Sequence, residues 1–363
     1  MGHGIACKGY TGAALRTGYE QVIAHRTSDL YAYTAKQSGH VVSRTPHGII
    51  LEYEDGTKKG IALGRRYGQA EGLTIPHDIV SSLKEGDDFV KGDVISYNPG
   101  FFKPDILNPK NVIWKVGLLA RTVLLETPQT LEDACGISRR ISGEFTTSIT
   151  KIRTVVVNFD QSIHKLAKVG QALGSEDILC IIEDALTQTN NLFDEESLDT
   201  LKILSAQAPQ AKFKGTVERI EIYYHGDTED MSRSLQECVA VSDKGLNQRL
   251  RAEGKPAFTG RVDDSFRIEG QSLALDTAAI QIYLSAEVPA GVGDKAVFGN
   301  QLKTVISEVL ENDWVTESGQ VIDAQFGAKS VADRIVTSAY TIGTTTTLCA
   351  EISQRAAAIY RKG

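Results

Sequence analysis

Three places in the chain combine residue types and spacing that suit chemistry. GVGDKAVFGNQLKTVIS at 291–307 sets Lys295 and Lys303 eight positions apart beside three glycines, LEDACGISRR carries the adjacent acids Glu132 and Asp133, and SVADRIVTS holds Arg334 among apolar neighbours. Glycines beside a lysine cradle an anion, because bare backbone N–H groups approach it closely and the ammonium adds a point charge. The nucleotide-hydrolase spacing GxxxxGK[ST] is absent, since Lys303-Thr304 follows Leu302 rather than Gly. Taken alone, Gly293-Asp294 is more often a hairpin turn, with Lys295 a solvated strand end. Adjacent carboxylates orient a divalent cation through oxygen ligands, but neighbours on a strand point to opposite faces, so at most one of the pair serves a given site. The same pair also suits a turn before small residues, and Arg334 alone reads as an exposed or ion-paired arginine.

Other chemistries have little support. The seven histidines, at 3, 25, 40, 47, 77, 164 and 225, never fall at HxH or HExxH spacing, which argues against a zinc hydrolase. There is no GxSxG elbow, and Cys135 has no histidine partner that spacing assigns. The run His225-Gly226-Asp227-Thr228-Glu229-Asp230 reads as a loop and helix start. Five cysteines, odd in number and without a CxxC pair, fit a reducing compartment rather than a disulfide framework. Lys and Arg total 39 against 46 Asp and Glu, a net charge of −7, so nucleic acid is not held through overall charge. The first 125 residues carry 15 basic and 12 acidic groups, and the remainder 24 and 34; any polyanion contact is therefore local or completed by a partner. No apolar run approaches the roughly 18–20 residues needed to cross a bilayer, and MGHGIACKGY lacks the apolar stretch of a signal peptide. A length of 363 residues implies more than one domain.

The elements that must position these residues are mostly strands. Residues 38–66 read as a β-meander with a tight turn at Asp55-Gly56, and 83–97 as a strand bracketed by Gly-Asp turns at 86–87 and 92–93. The apolar run 111–125 predicts a strand buried on both faces, and 145–158 is dense in Thr, Val and Ile. The pattern changes near 160. Segment 194–206 spaces Leu198, Leu201 and Leu204 for an amphipathic helix, and 229–252 aligns Leu235, Cys238, Val239, Leu246 and Leu250 for a second. Strands resume at 278–288 and 302–310, and 346–362 predicts an amphipathic helix.

Order and spacing together give five collinear blocks that resemble the C-terminal part of the β subunit of multisubunit DNA-directed RNA polymerases. LRTGYEQVIAHRTSDLYAYTAKQSGHVV at 15–42 is similar to that family's Gly-Thr-Gly-x-Glu segment, through Thr17, Gly18 and Glu20. FVKGDVISY at 89–97 resembles its Lys/Arg-Gly-Asp-Val turn, and TLEDACGISRRISGEFTTSITKI at 130–152 its Glu-Asp block with the Phe-Thr-Thr strand behind. QIYLSAEVPAGVGDKAVFGNQLKTVIS at 281–307 resembles the Gly-Asp-Lys block with a second lysine eight positions on, and VIDAQFGAKSVADRIVTS at 321–338 the segment that ends in Pro-Ser-Arg. The blocks cover somewhat under half of the chain. Two departures stand out: Gly299-Asn300 replaces an Arg-His pair, and Ser285-Ala286-Glu287-Val288 replaces a basic run.

The resemblance implies a mainly β fold with an α+β insertion, built on a double-psi β-barrel. It divides the chain into a β-rich N-terminal segment (1–75), the barrel (76–159 and 276–345), a shortened flap-like insertion (160–275) and a C-terminal helix (346–363). It implies that Lys295 and Lys303 contact the RNA 3′ end and the α-phosphate, Arg334 the triphosphate, and Glu132 or Asp133 the entering nucleotide with its metal. The catalytic Mg²⁺ is expected mainly on an Asp-x-Asp-x-Asp loop of the β′ partner, a loop absent from this sequence, so no metal is held by this chain alone. Implied partners are an N-terminal β fragment, β′ fragments, and template DNA and RNA, with no membrane. The chain corresponds to a piece of the usual subunit, as in the split polymerases of giant bacteriophages, which places it in host cytoplasm or virion. The rival readings are a non-catalytic barrel relic with a structural or assembly role in a virion, and a stand-alone nucleotide-binding enzyme.

Overall fold

The computed structural model describes residues 5–70, 73–184, 207–299, 302–334 and 337–361. Strands β1 (Gly39–Thr45), β2 (Gly48–Tyr53) and β3 (Lys58–Ala62) form the expected antiparallel meander. Its β2–β3 turn has Gly56 at φ 79°, a conformation that suits glycine, and the Asp55 carboxylate accepts the Thr57 N–H at 2.9 Å. Alternation along the strands turns Ile49, Leu51 and Ile61 into a core completed by Val41, Ile79, Phe89 and Ile95. Both Gly-Asp turns are present, with Gly86 and Gly92 at φ 86° and 93°, but the strand they bracket is only Asp88–Phe89, on the edge of this first sheet.

The chain continues through a hairpin of β4 (Gly64–Ala70) and β5 (Leu73–Ile79) into a region that differs from the sequence reading. The apolar run 111–125 is two short strands, Val112–Trp114 and β6 (Thr122–Leu124). Gly117 at φ 143° breaks the run, and its carbonyl accepts the Thr11 N–H at 2.7 Å. Strand β6 is not buried on both faces; Leu124 is 40% exposed.

Next come β7 (Ala134–Ser138) and helix α1 (Arg139–Glu144), whose first turn is capped by Ser138 accepting the Ile141 N–H at 3.2 Å. Strands β8 (Thr147–Asn158), β9 (Gly215–His225) and β10 (Thr277–Val288) form the centre of a six-stranded sheet, with β10 between the other two. Helix α2 (Arg233–Ala252) inserts Leu235 and Val239 into the core that this sheet builds. That core runs without a break from Val155 and Val157 through Leu179, Val217 and Ile222 to Ile280 and Leu284. Val155 and Val157 of β8 and Ile280 and Leu284 of β10 thus share one core with residues of the 160–275 stretch. The helix expected over 194–206 lies outside the described residues.

The last elements are β11 (Lys295–Phe298), β12 (Leu302–Leu310), β13 (Ala324–Phe326) and helices α3 (Ala328–Ala332) and α4 (Thr337–Tyr360). Helix α4 starts well before the expected position 346. A five-stranded sheet has the order β6-β13-β7-β12-β11, with β6 parallel to β13 and β7 parallel to β12. Strands β6 and β11 are its two edges, so its hydrogen bonding is open. The chain is thus mainly β, and no helix among the described residues is long and apolar enough to cross a membrane.

The end of α2 is seated on the first sheet. Gly254 at φ 70° donates to the Arg251 carbonyl at 3.0 Å and Lys255 donates to that of Leu250 at 2.9 Å, the two bonds of a Schellman cap. A Cβ added at Gly48 would overlap the Ala252 carbonyl oxygen, and one at Gly60 that of Glu253. Glu253 also pairs with Arg66, and with Lys255 at 2.7 Å. Burial opposes ionisation of Glu253, yet these two cations hold its carboxyl below the usual range.

Gly60→Ala should therefore destabilise the fold by about 1–3 kcal/mol, the usual cost of overpacking. Gly143→Ala, in α1 with open space around the new methyl, should instead stabilise it by about 0.5–1 kcal/mol. Denaturant titration of both variants reads the two signs; a neutral Gly60→Ala would mean that the helix end is loosely seated.

Candidate functional site

The chemistry-bearing segments meet around β7 and β12. The Asp133 carbonyl, one residue before β7, accepts the Val305 N–H at 2.8 Å and the Thr304 hydroxyl at 2.6 Å. Its carboxylate forms an ion pair with Arg334, in the turn that follows α3. Glu132 is in a turn at φ 55°, not on a strand, and its carbonyl accepts the Ser330 hydroxyl. The Glu132 carboxylate makes no hydrogen bond or ion pair among the described residues. The two acids therefore differ in state, one occupied and one open, for a reason of turn geometry rather than strand alternation.

Helix α3 is fixed to the same turn. The Glu126 carboxylate accepts the Lys329 N–H at 2.6 Å, and a Cβ on Gly327 would press on the Thr130 carbonyl oxygen at 2.5 Å. Segments 126–133 and 327–334 thus interlock before either reaches its strand.

The glycine loop 291–294 is a turn. The Asp294 carboxylate accepts the Gly291 N–H at 2.8 Å, and Gly293, at φ 95°, donates to the Ile306 carbonyl at 2.8 Å. These amides are consumed internally, so the loop is no phosphate cradle, and the lysines are what remain for an anion. Lys295 lies opposite Val305 and Lys303 opposite Val297 in the β11–β12 hairpin. Residues 295, 297, 303 and 305 share the exposed face, while Leu302, Thr304 and Ile306 face the core. Diagonal neighbours on such a pair sit roughly 7–8 Å apart, so the two ammonium groups reach one anion together. Neither lysine has a carboxylate partner among the described residues.

The five-stranded sheet and its approach also hold two residues that motif reading passes over. Gln325 of β13 is buried opposite Gly136 of β7, where a Cβ would strike its side-chain amide at 2.5 Å. Its Oε1 has no hydrogen-bond partner among the described residues, while its Nε2 is 3.4 Å from Glu308. Asp323, just before β13, accepts the Arg121 N–H at 2.8 Å and pairs with Arg140 at 2.6 Å. Both pairings join positions far apart in sequence, so no local pattern signals them.

Two further candidates resolve differently. Burial pushes the Cys135 thiol up, against the opposing influence of a hydrogen bond from Thr304, and its side chain is fully enclosed, which removes it as a nucleophile. In the Thr17-Gly18-x-Glu20 block, the Glu20 carboxylate accepts the Thr17 N–H at 3.3 Å and hydroxyl at 3.2 Å around Gly18 at φ 88°. That block is a local turn that starts the short helix Tyr19–Val22.

Among the described residues no group of three or more His, Cys, Asp or Glu is placed to hold a metal ion. An Mg²⁺ ion needs near-octahedral oxygen coordination, of which this site offers the single open carboxylate of Glu132. The arrangement can bind an anion through Lys295 and Lys303, and orient a guanidinium through Asp133. No known family model matches the chain, and no curated protein matches it.

The exposed Asp133–Arg334 pair should contribute less than about 1 kcal/mol to stability, as solvent-screened pairs do. Asp323, buried and bound to two segments, should cost about 1–3 kcal/mol when changed to Ala. Thermal unfolding of Asp133→Ala and Asp323→Ala compares them directly; the reverse order would mean that the Arg334 pair, not Asp323, secures the site.

Proposed function

We propose that this chain is a fragment of the β subunit of a multisubunit DNA-directed RNA polymerase, of the split type encoded by giant bacteriophages. The observation that carries the reading is the convergence of Glu132-Asp133, Lys295, Lys303 and Arg334, from blocks up to 201 residues apart, around β7 and β12. The sheet order supports it too. Parallel neighbours drawn from distant parts of the chain, β6 with β13 and β7 with β12, are compatible with a double-psi barrel, while the sheet itself is open at β6 and β11.

Nucleotide addition is an in-line displacement: the RNA 3′ oxygen bonds to the α-phosphorus while the bond to pyrophosphate breaks, and the protein acts by positioning and electrostatics. Lys303 stabilises negative charge on the α-phosphate, and Lys295 holds the RNA 3′ end. Arg334, pre-oriented by Asp133, grips the triphosphate, and Glu132 meets the entering nucleotide with its metal. Mg²⁺, when bound, supplies Lewis-acid stabilisation of the attacking and leaving oxygens. Its principal ligands come from the β′ partner, so this chain is inactive alone. An N-terminal β fragment and β′ fragments complete the enzyme around template DNA and RNA.

One observation favours a second reading, a barrel relic with a structural role in a virion. Helix α4 leaves Leu348, Ile352 and Ile359 exposed, as an assembly surface would. The two readings separate on Lys303, which matters to catalysis and not to assembly.

In the assembled complex, Lys303→Ala should slow nucleotide addition by about 10²–10³, the typical cost of removing a donor to developing charge. Arg334→Ala should act largely as a raised apparent KM for nucleotide. Single-turnover elongation at saturating nucleotide reads both. Near-normal addition by Lys303→Ala would overturn the site, and co-purification of the chain with capsid proteins alone would favour the structural reading.

A further inference from the structure

Three hydroxyls from distant segments close on the acidic turn. Thr304 donates to the Asp133 carbonyl at 2.6 Å, Ser330 to that of Glu132, and Ser307 to those of Gln129 and Cys135, the last at 3.0 Å. Thr304 and Ser307 stand on β12 and Ser330 on α3, at separations of 171 to 198 residues from their acceptors. Two of these donors are close in sequence to the cations of the site. Thr304 follows Lys303 directly, and Ser330 is four residues before Arg334.

Strand alternation sends the Lys303 side chain outward and that of Thr304 inward, where it is 3% exposed. One stretch of β12 backbone therefore carries the lysine on its open face and the bond to the acidic turn beneath it. Backbone satisfaction does not require that bond. The Asp133 carbonyl already accepts the Val305 N–H at 2.8 Å, at the start of the β7–β12 ladder. A valine, nearly the same shape, would fill the position without leaving the carbonyl bare and without a hydroxyl to bury. What the hydroxyl adds is a second direction of hold on one oxygen, next to the residue whose carboxylate takes Arg334.

Ser330 meets a different need. Glu132, at φ 55°, is in the left-handed region, which a residue with a Cβ adopts at a cost and keeps only where its surroundings fix it. Its carbonyl is held by the Ser330 hydroxyl, and Ser330 is itself buried in α3. The start of α3 is fixed by Glu126 and by the tight approach of Gly327 to the Thr130 carbonyl. Ser330 adds the tie nearer its far end, from which Arg334 departs.

We infer that Thr304 and Ser330 are positioning residues for nucleotide addition: Thr304 fixes Lys303, and Ser330 fixes Arg334, against the acidic turn. The inference rests on the polymerase reading above and adds to it how the two cations are aimed. Neither hydroxyl touches substrate; each acts through the charged residue beside it. Misplacing a reacting or charge-stabilising group by about 1 Å costs up to about 10²-fold in rate, so a bond that only sets position has a kinetic effect out of proportion to its effect on stability.

The test is single-turnover elongation by the assembled complex over a range of nucleotide concentrations. Thr304→Val should lower the rate at saturating nucleotide by about tenfold, less than Lys303→Ala because the lysine is still present. Thr304→Ser, which keeps the hydroxyl, should restore that rate. Ser330→Ala should instead raise the apparent KM for nucleotide by about three- to tenfold, since Arg334 acts on the triphosphate. Effects that pass through a shared partner do not add, so Thr304→Val in a Lys303→Ala background should bring no further slowing. Ser81→Ala, which removes a buried hydroxyl bonded at 2.5 Å to the Ile95 carbonyl in the core of the first sheet, should leave rate and KM unchanged. Co-purification with the partner subunits and circular dichroism melts check that each variant folds and assembles. Four results would overturn the inference and leave the polymerase reading in place: an unaltered rate in Thr304→Val beside a slow Lys303→Ala, an unaltered KM in Ser330→Ala beside a raised one in Arg334→Ala, multiplied effects in the double variant, or an equal loss in Ser81→Ala. Normal addition by Lys303→Ala would overturn the polymerase site itself, and the inference with it.

Discussion

Thr147 lies opposite Val288, and from that pair the antiparallel ladder of β8 and β10 runs outward to Asn158 and Thr277. This ladder is the constraint on which the rest depends. Strand β7 ends at Ser138 and β11 begins at Lys295, so the five-stranded sheet requires the chain to return across a long excursion. Loop-closure entropy grows only as about (3/2)RT ln n, but the ordering of a long excursion must still be offset by its own contacts. The β8–β10 ladder does this. Its core with β9 and α2 stabilises the excursion as a unit, and its base holds residues 147 and 288 at strand spacing, so that β7 and β12 meet as though joined by a short connection.

What the sheet then does with the site is a matter of which groups have partners. Backbone at Asp133 is fixed by Thr304 and Val305, and Arg334 is fixed by Asp133, so the acidic block and the arginine block share a single frame. The lysines sit on a different footing. Lys295 is on the edge strand β11, where a charged side chain also discourages unwanted strand addition and so has a use independent of any ligand. Lys303 is on β12, one strand in, where that protection is not needed. Its exposure on an otherwise well-paired strand therefore points more directly to an external anion.

Local chemistry was legible in the sequence, and long-range partnership was not. The Asp55-Gly56 turn and the strand 302–310 are where turn chemistry and β-branched density put them, because both depend on neighbours in the chain. The run 111–125 was misread as one strand because apolar density does not say where a strand finds its partner: β6 pairs with Ala324–Phe326, two hundred residues on, while Gly117 turns the chain between. The change of pattern near 160 marked the end of a strand rather than the edge of a core, since Val155 and Val157 already belong to the cluster that continues through α2. Lys295, Lys303, Glu132, Asp133 and Arg334 could be nominated from types and order, yet the occupied state of Asp133 and the open state of Glu132 depend on a positive φ that composition does not encode. Asp323 and Gln325 went unnoticed because their pairings with Arg140 and Glu308 exist only in the folded sheet.

An unpaired surface lysine is ordinary, and lack of a partner does not by itself mark a site. Two places in this chain where unpaired cations share a face illustrate the point. Lys295 and Lys303 are diagonal neighbours on one side of a hairpin, and Lys244 and Arg251 lie two turns apart on one flank of a helix. The Lys295–Lys303 arrangement puts like charges near one another, which disfavours the free fold slightly. Between Arg219 and Arg249 the same problem is met by the Glu221 carboxylate. At the Lys295–Lys303 face no carboxylate partner stands among the described residues, so nothing within them offsets the repulsion.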